Sequence, residues 1–175
     1  ITPSYVEAAR ETAIASGLDV DFIQEDVRSF VPKGSFDVCI NLYTSFGYFN
    51  SREEDMEFLA KARRCLAPGG LFVLETLGKE LAARDFTQSE EFERSGWMVR
   101  TEYKIRGDWE VQTNRWILEK PGQKVDRSFD LRLYSGFEIR EAFSKAGFAS
   151  CRVLGGFDGR PYDEGAESLV VLGRA

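Results

Sequence analysis

Histidine is absent from all 175 residues. That removes the commonest general base, the Ser-His-Asp arrangement and the commonest metal ligand together. Cysteine is scarce: Cys39, Cys65 and Cys151 are widely spaced, odd in number and set among apolar residues. Such spacing speaks against a disulfide framework or a zinc site and predicts reduced, buried thiols in a cytoplasmic protein with no metal. Long apolar runs are missing too. Leu71-Phe72-Val73-Leu74 and Leu169-Val170-Val171-Leu172 are among the longest, against the roughly 20 residues needed to cross a bilayer, so neither a membrane segment nor a signal peptide is expected. Blocks of positive charge are lacking as well. Lys plus Arg is 23 and Asp plus Glu is 29, a net charge of -6 with both signs scattered, so a nucleic-acid backbone would repel the chain on average.

What is present is enough to fold. With 43% hydrophobic and 13% aromatic residues the chain can bury a core, and residues 1–175 are read as one domain. Thr2-Pro3 is an N-cap and first-turn pair, and good helix formers continue from Pro3 to Ser16 with Gly17 as the stop. Val20 to Gln24 reads as a short strand and Phe36 to Leu42 as a second. Ser51-Arg52-Glu53-Glu54 is a capping box. It opens a helix whose Phe58, Leu59, Ala62, Cys65 and Leu66 share one face, with Pro68-Gly69-Gly70 as its stop. Leu71 to Leu74 is then a continuous apolar run, the pattern of a strand covered on both faces. Repeated strand-helix-strand order predicts an α/β fold with a doubly wound sheet.

Between about Trp97 and Tyr134 the period changes to two. Trp97, Val99, Thr101, Tyr103 and Ile105 alternate with Met98, Arg100, Glu102, Lys104 and Arg106, and two further runs follow across glycine-containing turns. This predicts an inserted three-stranded antiparallel lobe. Ser135-Gly136-Phe137-Glu138 is a second capping box. It starts a helix with Ile139, Ala142, Phe143 and Ala146 inward and Gly147 as its stop. Ser150 to Leu154 and Ser168 to Gly173 read as the closing strands.

These residues resemble class I S-adenosylmethionine-dependent methyltransferases. The resemblance is carried by the Thr2-Pro3 opening, Gln24-Glu25-Asp26-Val27, Phe36-Asp37-Val38, Asn41 to Phe49, Leu66-Ala67-Pro68-Gly69-Gly70 and Lys145-Ala146-Gly147-Phe148, in that order. Thr44-Ser45-Phe46-Gly47-Tyr48-Phe49 and the inserted strands look like the small-molecule members, sugar N-methyltransferases among them. The resemblance implies a Rossmann-like methyltransferase sheet, S-adenosyl-L-methionine as cofactor and direct displacement onto a small-molecule acceptor. It also implies N-terminal strands and a glycine-rich cofactor loop that are missing from these residues. A truncated chain, or an upstream segment of roughly 30 residues or more, would account for that.

By the resemblance, Asp26 takes the adenine amino group, Val27 offers its amide to the ring and Ile1 packs on the adenine face, although each also reads as ordinary loop or helix-entry structure. Asn41, with Leu42 and Tyr43, leaves an apolar strand at its carboxyl end, where ligands of open α/β sheets bind. Tyr43, Phe46, Tyr48 and Phe49 put four aromatics in seven residues, which suit a sulfonium or ammonium cation but also fill cores. Tyr48 and Phe49 are candidate substrate contacts. So are Arg132 and Tyr134, which share the polar face of the last inserted strand with Asp130, unless that face is simply wet. No general base is strictly required for displacement from a sulfonium; if one is, Tyr48, Asp130 and Asp158 are the residue types to hand. The alternatives are a catalytically incomplete fragment that acts as an oligomerising or interaction module, with the aromatic strands as a homodimer contact, and a nicotinamide-dependent oxidoreductase.

Overall fold

A computed structural model describes residues 2–32 and 34–175, and the chain divides into two compact units, residues 1–34 and 35–175. In the first, α1 (Pro3–Ala15) begins with proline where its missing N–H costs nothing, although the Thr2 side chain makes no capping bond. The helix ends in a Schellman motif: Gly17 takes a φ of 65°, Leu18 N–H donates to Ala13 O at 2.9 Å and Gly17 N–H to Ile14 O at 3.1 Å. The strand expected at Val20 to Gln24 is absent. That segment is irregular and pairs with no other strand among the described residues. Its tie to α1 is the Arg10 guanidinium, which donates to Phe22 O at 2.5 Å.

The second unit holds two four-stranded sheets. In the first, β1 (Phe36–Asn41) runs parallel to β2 (Leu66–Thr76), in register from Val38 opposite Leu71 to Asn41 opposite Leu74. The crossover is α2 (Arg52–Arg64). Its N-cap Ser51 accepts from Glu54 N–H at 3.3 Å, but the Glu54 carboxylate reaches back to the Asn50 N–H at 2.8 Å and not to that of Ser51, so the expected capping box is offset by one residue. Acidic residues in the first turn and basic ones in the last favour the helix dipole. The helix stops at Arg64, and the Pro68-Gly69-Gly70 expected to stop it lies inside β2. Antiparallel to β2 runs β8 (Leu169–Arg174), followed by β7 (Ser150–Leu154) at the edge, giving the order β1-β2-β8-β7.

Packed on this sheet, α4 (Gly136–Lys145) starts with a true capping box between Ser135 and Glu138. It buries Ile139, Ala142 and Phe143 as the sequence period predicts. The core gathers Leu59, Phe72, Leu74, Ile139, Phe143, Leu169 and Val171. Phe72, Phe143 and Phe148 stack within it, the last two with ring centroids 4.8 Å apart. Each such ring removed from water contributes roughly 1.5–3 kcal/mol. Gly173 makes room for them: a Cβ there would lie 2.6 Å from the Phe143 ring.

A short α3 (Lys79–Arg84) leads to the second sheet, a meander of β3 (Ser89–Arg94), β4 (Trp97–Arg106), β5 (Val111–Lys120) and β6 (Gln123–Arg132). The lobe therefore has four strands where the sequence reading has three. Ser89-Glu90-Glu91-Phe92-Glu93-Arg94 carries a single apolar residue, so no hydrophobic alternation marks it. It is a strand because its backbone pairs with β4. One face of the sheet carries ion pairs such as Arg115 between Glu102 and Asp126, at 3.1 and 2.6 Å. The other turns Tyr103, Asn114 and Phe129 together in register. Among the described residues no helix is long and apolar enough to cross a membrane.

All three cysteines are free thiols, and burial pushes Cys39 up and Cys151 up to about 11. A raised thiol pKa keeps the reactive thiolate scarce until the pH nears that value. Labelling of native Cys151 by a disulfide reagent at pH 8 is therefore expected to run about a hundredfold slower than free cysteine. It should accelerate as the pH climbs toward 11 and lose its protection in urea. A fast native phase at pH 8 would contradict the packing.

Candidate functional site

The carboxyl end of β1 and the segment leading from it to α2 hold unusual backbone and an unpaired polar atom. Asn41 ends the strand with its side-chain Oδ1 buried and without a hydrogen-bond partner. A buried carbonyl oxygen left unpaired costs about 1–3 kcal/mol, so such an atom marks a place where a donor is wanted. Leu42 follows, half-buried, and Tyr43 then stands almost wholly in solvent, 92% exposed. Tyr43 and Thr44 both adopt left-handed backbone, with φ of 56° and 51°, a conformation costing roughly 1–3 kcal/mol each for residues with a Cβ. Glu75, near the end of β2, accepts both their amides through Oε2, at 2.7 and 3.3 Å.

Beyond the turn the chain is pinned to the antiparallel sheet. Phe46 is fully buried in the core. Gly47 takes a φ of 99°, and its carbonyl accepts from Arg132 N–H at 2.7 Å. A Cβ on Gly47 would sit 2.5 Å from Arg132 O. Tyr48 then meets Phe129 of β6, centroids 5.8 Å apart, while Phe49 turns inward against Phe58.

Asp55, in the first turn of α2, has no exposed surface. Its Oδ2 accepts from Arg132 Nη1 at 2.8 Å and from the Tyr134 hydroxyl at 2.7 Å, while Oδ1 has no partner. Burial pushes the Asp55 carboxyl up, and the Tyr134 and Arg132 hydrogen bonds oppose that. Tyr134 is raised as well, by burial first and by its hydrogen bond to the Asp55 carboxylate second.

Thr44 and Tyr48 also line an open cavity of about 410 Å³ shared with α3, the segment after it and one face of the antiparallel sheet. Phe86, Tyr103, Trp116 and Phe129 join Tyr48 to give five aromatic rings, and Asp85, Glu90 and Glu167 supply carboxylates. Among the described residues no Lys or Arg lines it. Gln112 and Asn114 form its polar floor, bonded to each other at 2.9 Å. Asp85 is neutralised by Arg84 at 2.6 Å, and Glu167 by Arg160 at 2.6 Å. Glu90 has no cationic partner among the described residues; its contact is the Tyr103 hydroxyl at 3.5 Å. A second cavity of about 530 Å³ lies on the other side of the Tyr48–Phe129 pair, beside Arg106, Asp130 and Arg132.

The residues singled out by sequence fall into distinct places. Asn41, Leu42 and Tyr43 stand together at the end of β1, and Tyr48 forms the wall shared by the two cavities. Phe49 and Arg132 line the second cavity, but Tyr134 lies 1% exposed with its hydroxyl committed to Asp55. Asp130 is held low by the Thr113 hydroxyl and by Arg106. Asp158, away from both cavities, is held low by Arg160. Burial pushes Tyr48 up, so its phenol stays protonated near neutral pH. None of these three is therefore tuned to take a proton there. Asp26 and Val27 belong to the first unit. Both Asp26 oxygens bind Arg28, whose hydrogen bonds bring the carboxyl down to about 2. Ile1 lies outside the described residues. Glu75, Glu90 and Asp55 escape the sequence reading. Polar residues at alternate positions, Gln112 and Asn114, are the one signal in the sequence for the cavity floor.

Residues 1–70 match the family model described as a methyltransferase domain. No curated protein matches the sequence. Among solved structures, the chain is similar to an S-adenosylmethionine-dependent methyltransferase from Clostridium acetobutylicum, with a TM-score of 0.82 at 11% identity, over 99% of this chain and 72% of that one. It is similar to the CcbJ methyltransferase from Streptomyces caelestis, TM-score 0.80 at 18% identity, over 99% and 76%. It also resembles the sugar N-methyltransferase KedS8 from a Streptoalloteichus species, TM-score 0.69 at 20% identity, over 99% and 68%. The fold is that of these enzymes, and the resemblance carried by the sequence motifs is borne out.

Two substitutions test this architecture by chemical denaturation. Asp55→Ala leaves the guanidinium of Arg132 without its carboxylate in a nearly closed site, and is expected to cost about 3–5 kcal/mol. Gly47→Ala forces a Cβ onto left-handed backbone and the Arg132 carbonyl, with an expected cost of about 1–3 kcal/mol or more. Changes below about 0.5 kcal/mol, the range of ordinary surface substitutions, would contradict both contacts.

Proposed function

We propose that this chain is an S-adenosylmethionine-dependent methyltransferase that methylates an amine on a small molecule. The observation that carries the acceptor class is the lining of the 410 Å³ cavity: five aromatic rings, three carboxylates and, among the described residues, no cationic side chain. Aromatic faces and carboxylates favour an ammonium group over an anion or a neutral alcohol. The enzymes of like fold include the sugar N-methyltransferase named above and a glycopeptide N-methyltransferase, which supports the same class.

Two residues at the end of β1 support this cofactor. An adenosyl-methionine carries hydroxyl and ammonium donors, and Asn41 Oδ1 is a buried acceptor without one; Tyr43 offers an exposed ring beside it. When bound, S-adenosylmethionine supplies a methyl group on an already activated sulfonium. The chain then has three tasks, which are to align the acceptor, exclude water and accept the amine proton. Tyr48, Trp116 and Phe129 shape the cavity and limit its water. Glu90 holds the acceptor ammonium and takes its proton, since it alone of the three carboxylates has no cation of its own.

Radiolabelled methyl transfer to a panel of primary and secondary amines, each paired with the matching alcohol, tests this directly. Label is expected in amines alone. Glu90→Gln is expected to lower kcat/KM about a hundredfold while leaving the melting temperature unchanged. Transfer to the alcohols at equal rates would overturn the acceptor class, and an unaffected Glu90→Gln variant would remove Glu90 from its role.

A further inference from the structure

Two adjacent residues with side chains, Tyr43 and Thr44, hold left-handed backbone at the carboxyl end of β1. The Ser45 hydroxyl donates to Leu42 O across the turn at 2.6 Å, a local bond that takes neither of their amides. The hydrogen bonds of their amides go to Glu75, 32 and 31 residues along the chain. The parallel register explains why. Asn41 lies opposite Leu74, so the next residue of β2 presents its side chain at the level of the turn. Successive N–H groups in such a turn converge on one point and form a nest for an anion. Here the protein fills the nest with its own carboxylate, Oε2 receiving both bonds at 2.7 and 3.3 Å. Among the described residues no Lys or Arg pairs with Glu75, so these two amides are what its charge has for partners.

Resting on the methyltransferase reading above, we infer that Glu75 is a positioning residue for methyl transfer. Its carboxylate holds the Tyr43-Thr44 turn in left-handed conformation. The turn in turn fixes Asn41 and Tyr43 on the cofactor side and Thr44 and Tyr48 on the wall of the acceptor cavity. Without the carboxylate the turn relaxes toward ordinary backbone and both sets of side chains lose their placement, while the core beneath stays packed.

Three variants separate this role from direct ligand contact and from plain stability. In Glu75→Ala, S-adenosylhomocysteine affinity by calorimetry is expected to fall about tenfold, the strain of one left-handed residue read as an equilibrium. Glu75→Gln keeps a carbonyl oxygen for the two amides and is expected to bind within about twofold of the parent. Thr44→Gly in the Glu75→Ala background supplies a residue at home with positive φ and is expected to recover most of the loss. Parent-like affinity in Glu75→Ala, or no recovery by glycine, would overturn the proposal. The melting temperatures of the unliganded single and double variants give a second readout. Glycine at 44 is expected to shrink the cost of removing Glu75, and strict additivity would overturn the proposal. A parent chain that melts with the expected coupling but binds no S-adenosylhomocysteine would fault the methyltransferase reading and leave the role of Glu75 in holding the turn standing.

Discussion

A carboxylate in the first turn of α2 receives the guanidinium of Arg132 and the hydroxyl of Tyr134, so the end of the antiparallel sheet is tied to the crossover helix of the other sheet. The tie is buried, and that makes it consequential. An ion pair of this kind adds little net stability over a well-packed apolar substitute, yet breaking it leaves a charge stranded. Its effect is on position. Arg132 is also the residue whose amide holds Gly47 O, so the same few atoms fix the sheet, the loop between β1 and α2, and the cavity between them.

From that anchor the chemistry of the cavity follows. The loop can be held close only because Gly47 lacks a Cβ, and the close approach brings Tyr48 onto Phe129 as a partition between two chambers. On one side the aromatic and carboxylate lining suits a cation; on the other, Arg106, Asp130 and Arg132 make a polar, internally neutralised wall. Histidine is missing from the chain, and burial and pairing sort its carboxylates. Asp55 is a structural tie, Asp85 and Glu167 are matched by arginines, and Glu90 is left open.

Much of the fold was legible in the sequence because its signals are local. Helical spacing gave Leu59, Ala62, Ile139, Ala142 and Phe143 their inward face, and the continuous run at Leu71 to Leu74 read correctly as a strand parallel to β1, although it is covered on one face only: Phe72 and Leu74 are buried while Leu71 and Val73 are half-buried. What escaped depends on partners. Ser89 to Arg94 is a strand through its pairing with β4, while Val20 to Gln24, apolar enough to look like one, finds no ladder. The same division runs through the site. Asn41 stood out as a polar residue closing an apolar strand, whereas Glu75 and Glu90 carry no mark of their own. They matter through residues 32 and 13 positions away in the chain, a relation that only the strand register supplies. Tyr134 shows the reverse case: its place in an alternating pattern suggested a polar strand face, yet it lies two residues beyond the end of β6 with its ring in the core and its hydroxyl on the Asp55 carboxylate.

The measurement that bears most directly on the methyl-transfer assignment is amide and side-chain chemical-shift mapping of the labelled chain, with S-adenosylhomocysteine and then NAD as ligands. S-adenosylhomocysteine should produce saturable shifts at the Asn41 side-chain amide and at the backbone amides of Tyr43 and Thr44, with NAD producing none. Saturable shifts with NAD at those same positions, or shifts from S-adenosylhomocysteine confined to surfaces away from the end of β1, would contradict it.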